Sequence, residues 1–375
     1  MNRAVLAAAL GLVMAGCAAA PPVAAPQSAV SILSGFPQAP VTPPLPTGAI
    51  SKIVIGSCLN EEWNRNQVVL EKMAAERADL AILMGDNVYG SSTGDDPLLS
   101  DLRSAYWQQA RRREFNALVS STPTLAVWDD HDFGKNDAGG EDFPQRALAQ
   151  QMFDAFWRIG PEDPRAHDGG VYGSWILGEA GRRVQIILLD TRYWRSPLKP
   201  TDQRDAKGKE RYMEDSSPGK TVLGETQWRW LEGELKKPAD LRLVVSSIQV
   251  AALGHGWEKW GNFPPERARF FDLIRSTGAK GVIVLSGDRH YAAINVEKTA
   301  APYPIYDFTA SAVNMPWGAG EGEALPTMVS PATTQENFGV VSIDWVGRAV
   351  TLEARDRQSA PVFSRTIPFA DIGLR

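Results

Sequence analysis

Positive charge is in short supply in this chain. Its 39 Lys and Arg residues are outnumbered by 44 Asp and Glu, which leaves a formal charge of −5 over 375 residues. A mildly acidic chain has no general electrostatic grip on nucleic acid or on an anionic membrane. Any phosphate-bearing ligand must then be held by local groups or by metal ions. Cysteine is scarcer still, represented by Cys17 and Cys58 alone. A pair invites a disulfide in an exported protein, but the setting of each points to other chemistry. Charge is absent altogether between Arg3 and Lys52. The apolar run Ala4–Ala15 inside that gap is 12 residues, too short to span a bilayer, which takes about 20. There is no internal repeat.

What is present is ordinary globular composition, 43% hydrophobic and 22% charged, and enough length for one α/β domain with insertions or two smaller ones. A basic start followed by the short apolar run fits an export signal. The run ends Val13-Met14-Ala15-Gly16-Cys17, which resembles the bacterial lipoprotein box. That resemblance implies residues 1–16 as a lipoprotein signal peptide, cleavage before Cys17 and lipidation of Cys17. Ala18 follows where an inner-membrane retention signal would have Asp, so the expectation is an exported periplasmic or cell-surface lipoprotein of the outer membrane. Residues 17–50 carry eight prolines. They are expected to form a Pro/Ala-rich tether with polyproline II character, at about 3.1 Å per residue.

From residue 51 to 375 short apolar runs alternate with amphipathic stretches, with no second linker, and the pattern reads as one domain. Strands are expected at Ile53–Ile55, Leu80–Met84, Thr124–Trp128, Val184–Leu189, Leu241–Ser247, Val282–Leu285, Gly339–Trp345 and Ala349–Ala354. Helices are expected at Gln67–Arg77, Leu98–Phe115, Arg146–Trp157, Glu225–Leu235 and Pro265–Ser276. Several strands deliver titratable residues just past their C-terminal ends: Cys58, Asp86 and Tyr89, Asp129 to His131, and Asp288 with His290. That is the edge where open α/β sheets build sites. The residue types are those that ligate metals.

Gly56-Ser57-Cys58, Gly85-Asp86-Asn87-Val88-Tyr89, Trp128-Asp129-Asp130-His131-Asp132, Leu189-Asp190-Thr191-Arg192 and Ser286-Gly287-Asp288-Arg289-His290 occur in this order. As an ordered set they resemble the alkaline phosphatase D (PhoD-like) family of the metallophosphoesterase superfamily, over about residues 51–350. The wider superfamily opens with Asp-x-His and closes with Gly-His-x-His. This chain departs from both, in the manner of the PhoD-like branch. The resemblance implies an α/β fold, a metallophosphoesterase-like β-sandwich of two mixed sheets flanked by helices.

It also implies a metal set of Cys58, Asp86, Tyr89, Asp130, Asp288 and His290, with Asp86 bridging two cations. Two or more metal ions are expected, Fe3+ and Ca2+. Thiolate and phenolate suit a trivalent cation, and the added Asp130 oxygen suits a hard one. Bland alternatives stand beside each role: a small buried cysteine for Cys58, a core aromatic for Tyr89, a turn residue for Asp86. His131, by resemblance not a ligand, would face the phosphate. Arg192 would clamp a phosphate oxygen or pair with a carboxylate. Asn136 would bind substrate or ligate, Asp129 would orient His131, and His255 is a further candidate from a loop.

The expected function is metal-dependent hydrolysis of phosphodiesters or phosphomonoesters by a metal-activated hydroxide. The expected partner is a small phosphate-ester substrate, with no specific nucleic acid and with membrane contact through the lipid anchor only. The rivals are a non-catalytic metal- or ligand-binding lipoprotein on the same fold, and an ester or lactone hydrolase using the same metals.

Overall fold

The computed structural model describes residues 33–62, 64–90, 96–167, 169–318 and 323–374. The expected signal peptide and Cys17 lie outside the described residues. Fourteen strands are formed among the described residues. In chain order they are β1 (Lys52–Gly56), β2 (Leu80–Met84), β3 (Thr124–Val127), β4 (Gly173–Leu177), β5 (Val184–Leu189), β6 (Lys199–Pro200), β7 (Tyr212–Met213), β8 (Leu241–Ser246), β9 (Val282–Ser286), β10 (Ala292–Glu297), β11 (Ile305–Ala310), β12 (Asn337–Asp344), β13 (Ala349–Asp356) and β14 (Pro361–Pro368).

Twelve of them make two six-stranded mixed sheets, ordered β14-β13-β12-β1-β2-β3 and β10-β11-β9-β8-β5-β4. β1, β2 and β3 run parallel in the first sheet, and β5, β8, β9 and β11 in the second. The parallel strands explain the near-continuous apolar runs of the sequence. LAILM, LRLVVS and VIVLS are buried at every position, as strands covered on both faces must be. One core joins the two sheets, with Val54 and Leu83 of the first packed in the same cluster as Ile186, Leu243 and Leu285 of the second. A second core lies outside β5, β8 and β9. There Trp228 and Leu231 of helix Gly224–Leu235 pack with Phe270 and Ile274 of helix Pro264–Thr277. The expected sandwich of two mixed sheets flanked by helices is the observed architecture.

Three local differences are instructive. The single helix expected over Leu98–Phe115 is two, Ser100–Gln109 and Arg113–Ser121. Arg112 is extended between them (ψ 122°), and the Asn116 side chain donates to the Ala110 carbonyl at 3.0 Å across the break. The carboxyl-terminal strands, eight residues each, form an antiparallel meander, β12 to β14, whose last strand has no counterpart among the expected elements. The stretch expected as tether is docked over its later part. The Ala39 N–H donates to the Phe156 carbonyl at 2.8 Å, Thr42 Oγ1 donates to the Thr122 carbonyl at 3.0 Å, and Ile50 is fully buried. Its prolines suit this, since they remove backbone donors that an irregular chain would otherwise leave unpaired.

Candidate metal centre

The C-terminal ends of β1, β2, β3 and β9 meet at one edge of the sandwich, and short loops carry the titratable residues from there. The loops are stitched together by backbone: the Leu59 N–H donates to the Asp86 carbonyl at 2.8 Å, and the Gly287 N–H to the Ser247 carbonyl at 2.9 Å. Glycine is required where they cross. A Cβ on Gly85 (φ +109°) would stand 2.5 Å from Asp129 Cβ, and one on Gly287 would stand 2.7 Å from Ser57 Oγ. The residues that follow are held in the left-handed region despite having side chains: Cys58 (φ 62°), Asp86 (φ 50°), Asp288 (φ 69°) and His290 (φ 55°). Each costs about 1–2 kcal/mol for an L-residue. Such strain persists where the surroundings over-determine it, and it concentrates at functional sites.

Side-chain donors converge in a chain of overlapping clusters, each with its ligand atoms within 4.8 Å of one another: Cys58, Asp86 and His290; Asp86, Asp130 and His131; Asp129, Asp130 and Asp288; Asp137, Glu258 and Asp288. Asp86, Asp130 and Asp288 each belong to two clusters, which is the disposition of groups shared between neighbouring cations. Cys58 Sγ lies 3.6 Å from Asp86 Oδ2 and 3.5 Å from Ser311 Oγ. The Tyr89 hydroxyl donates to Asp86 Oδ2 at 3.1 Å, and the His131 N–H donates to Asp86 Oδ1 at 3.3 Å. The expected metal set Cys58, Asp86, Tyr89, Asp130, Asp288 and His290 is therefore gathered in one place. Asn136 and His131 line the cleft above it.

The electrostatics are those of an anionic nest. Burial, reinforced by neighbouring carboxylates, pushes Asp86 and Asp288 well above the usual carboxylate range. Burial pushes the Cys58 thiol up to about 12. Asp130 goes the other way: burial opposes its ionisation, but His131 and Arg192 outweigh it and hold the carboxyl below its ordinary value. Burial lowers His290 to about 4, so its imidazole is neutral at pH 7. Its Nδ1 donates to the Met315 carbonyl, which leaves Nε2 as the free donor atom, as in metal-ligating histidines. Six carboxyls and a thiol stand against three directly paired guanidiniums, those of Arg192, Arg195 and Arg211. Asp130 Oδ1 and Asp129 Oδ2 are buried and accept no hydrogen bond. Buried carboxylate oxygens without a hydrogen bond are expensive, and cations would offset both the excess charge and these oxygens. Oxygen donors with one nitrogen and one sulfur fit hard or borderline metal ions.

Two expectations are corrected. Arg192 does not face the cleft: it is fully buried, its Nε donating to Asp129 Oδ1 at 2.6 Å and its Nη1 to Glu258 Oε1 at 3.0 Å. Both edges of the guanidinium are used on buried carboxylates, Glu258 being shared with Arg195 at 3.2 Å, so Arg192 takes the pairing alternative and not the substrate clamp. His255 lies away from the clusters, buried against Gln249 at 3.1 Å. Asp129 is held by Arg192 and by Ser247 Oγ at 2.5 Å. Sequence reasoning missed Glu258 and Asp137. Glu258 sits well beyond the end of β8, outside the strand-end rule, and Asp137 directly follows the candidate Asn136 at φ 53°. Arg65, Arg211, Arg289, Trp257 and Trp317 complete the cleft wall.

A family model described as PhoD-like phosphatase matches residues 53–344. The chain is 25% identical over 271 residues to alkaline phosphatase D of Bacillus subtilis (strain 168), covering 61% of this chain and 45% of that protein. It therefore spans less than half the length of that relative. Among solved structures, one described as the structure of PhoD superposes with a TM-score of 0.63 at 19% identity, over 87% of this chain and 74% of the other. GAP50, described as the anchor in the inner membrane complex of Plasmodium, superposes with a TM-score of 0.51 at 11% identity, over 85% and 89%. Both share the fold.

Proposed function

The chain belongs to the PhoD-like phosphatase family, and from that premise we propose that it is a metal-dependent hydrolase of small phosphate esters. The observation that carries this reading is the convergence of Cys58, Asp86, Asp130, Asp288 and His290 from four strand ends, all but Asp130 in left-handed backbone, around buried oxygens that accept no hydrogen bond. Cys58, Asp86, Tyr89 and His290 would hold one cation, and Asp86, Asp130 and Asp288, with Asp137 or Glu258, would hold its neighbour. We assign Fe3+ to the first and Ca2+ to the second, on the softness of the donors. Bound there, the cations supply charge neutralisation for the phosphoryl oxygens and acidify a water.

The chain's own groups do the rest. His131 lines the cleft with its ring against that of Tyr89, centroids 4.2 Å apart, and is placed to stabilise the phosphate or to protonate the departing oxygen. Asn136 stands on the same wall and would hydrogen-bond the ester. Arg192 acts indirectly, fixing Asp129 and Glu258 by buried charge-assisted bonds. The test is hydrolysis of bis(p-nitrophenyl) phosphate by the purified protein, before and after treatment with a chelator. The expected result is turnover abolished by the chelator and restored by metal. Undiminished turnover in metal-free protein would overturn the reading.

We further propose export and lipid anchoring at Cys17, supported by the small residues before that cysteine and the prolines after it. No helix among the described residues is long and apolar enough to cross a membrane. Intact mass of membrane-extracted protein should show a diacylglyceryl adduct on a chain that begins at Cys17; an unmodified Cys17 would sink the proposal.

A further inference from the structure

The floor of the cleft is polar, but one wall is of another character. Of the exposed large hydrophobic side chains among the described residues, Trp317 alone lines the cleft, with 42% of its surface open. It is not loose. Its backbone N–H donates to the His290 carbonyl at 3.2 Å, and its ring meets that of Trp257 edge-on, centroids 4.7 Å apart at 76°. Trp257 is itself braced by Arg211 and Arg289, whose guanidinium carbons lie 5.1 Å and 5.5 Å from its ring centre. Edge-to-face and cation–π contacts of this kind fix ring orientation. The result is a rigid apolar plate whose centroid is 6.4 Å from that of the His290 ring. The cleft measures ≈ 390 Å³, within the range of about 300–1,000 Å³ that holds a whole small molecule rather than a phosphoryl group alone.

We propose that Trp317, on its Trp257 brace, is a stacking plate that favours phosphate esters bearing a planar aromatic arm, a nucleoside or an aryl group, over esters of aliphatic alcohols. This rests on the phosphoesterase reading and names its substrate class. A fixed aromatic face presented to water gains most from a flat π-surface laid on it, and such stacking tolerates any ring. A chain with a formal charge of −5 has no general electrostatic grip on nucleic acid, which leaves the preference to this local plate.

The experiment compares the metallated wild type with Trp317→Ala and Trp317→Phe. The substrates are thymidine 5′-phosphate, phenyl phosphate and glycerol 3-phosphate, each as the monoester and as its methyl diester. Comparing each substrate across variants cancels intrinsic leaving-group reactivity. Trp317→Ala should lower kcat/KM about tenfold or more on the thymidine or phenyl esters, chiefly through KM. The glycerol esters should change less than twofold, and Trp317→Phe should recover most of the loss. A fall confined to the thymidine esters assigns a nucleoside arm; a fall that includes the phenyl esters assigns a general aryl site. Equal falls on all substrates, or none, would overturn the plate. If the wild type hydrolyses no ester, the phosphoesterase reading has failed, and calorimetric titration still decides this proposal. Thymidine 5′-phosphate should bind wild type more tightly than glycerol 3-phosphate does, an advantage lost in Trp317→Ala; equal affinities would contradict it.

Discussion

Cys58 shows how far a single residue could be read. Its place after Gly56-Ser57 suggested a thiolate ligand, with a buried structural thiol as the alternative. Both predict a buried sulfur, and the structure gives one, fully buried. Burial alone therefore shields it from thiol reagents, and reactivity does not separate the two. Metal content does. With burial pushing the free thiol up to about 12, the sulfur is a neutral group unless a cation offsets the cost of ionisation. Cys58→Ser should lose one metal equivalent by elemental analysis, and turnover should fall at least 100-fold, while the fold is kept because serine is nearly isosteric. Unchanged metal content would make Cys58 a packing residue. Arg192 was legible only as a motif. Its charge was visible, but its partners come from residues 63 and 66 positions away, and no local pattern encodes which carboxylate a buried guanidinium will meet.

Elements were legible where periodicity and burial agree. Leu80–Met84, Arg146–Trp157 and Val184–Leu189 stand as expected, because each is a run long enough for its apolar pattern to dominate. β4, β6, β7, β10, β11 and β14 were not identified. β14 is mostly exposed, so no apolar alternation marks it, and it exists because β13 offers it a pairing edge. The loops after the strands were legible as chemistry but not as geometry, since the left-handed turns depend on how closely two loops cross. Gly85 tests that geometry. Gly85→Ala would drive a Cβ into Asp129 and the Trp128–Asp129 backbone just past β3 at a φ of +109°. It should destabilise the protein by about 2–4 kcal/mol and displace Asp86 and Asp129 together. Thermal unfolding and metal content should fall in parallel. A variant with normal stability and full metal content would show that the β2 and β3 ends are not locked to one another.

At the scale of the whole molecule, the two sheets bring together donors that are distant in sequence. β1, β2 and β3 of one sheet carry Cys58, Asp86 and Asp130, and β9 of the other carries Asp288 and His290. The site is thus a seam between the sheets, and cations in it would join them. The central claim is that this seam is a metal centre with Asp86 shared between its ions, and elemental analysis of the purified protein tests it most directly. The wild type should carry at least two equivalents of metal per chain, and Asp86→Asn should carry at least one fewer while keeping the wild-type circular dichroism spectrum. A wild-type protein that purifies without stoichiometric metal and takes up none from Fe3+ or Ca2+, or an Asp86→Asn variant with undiminished metal, would contradict it.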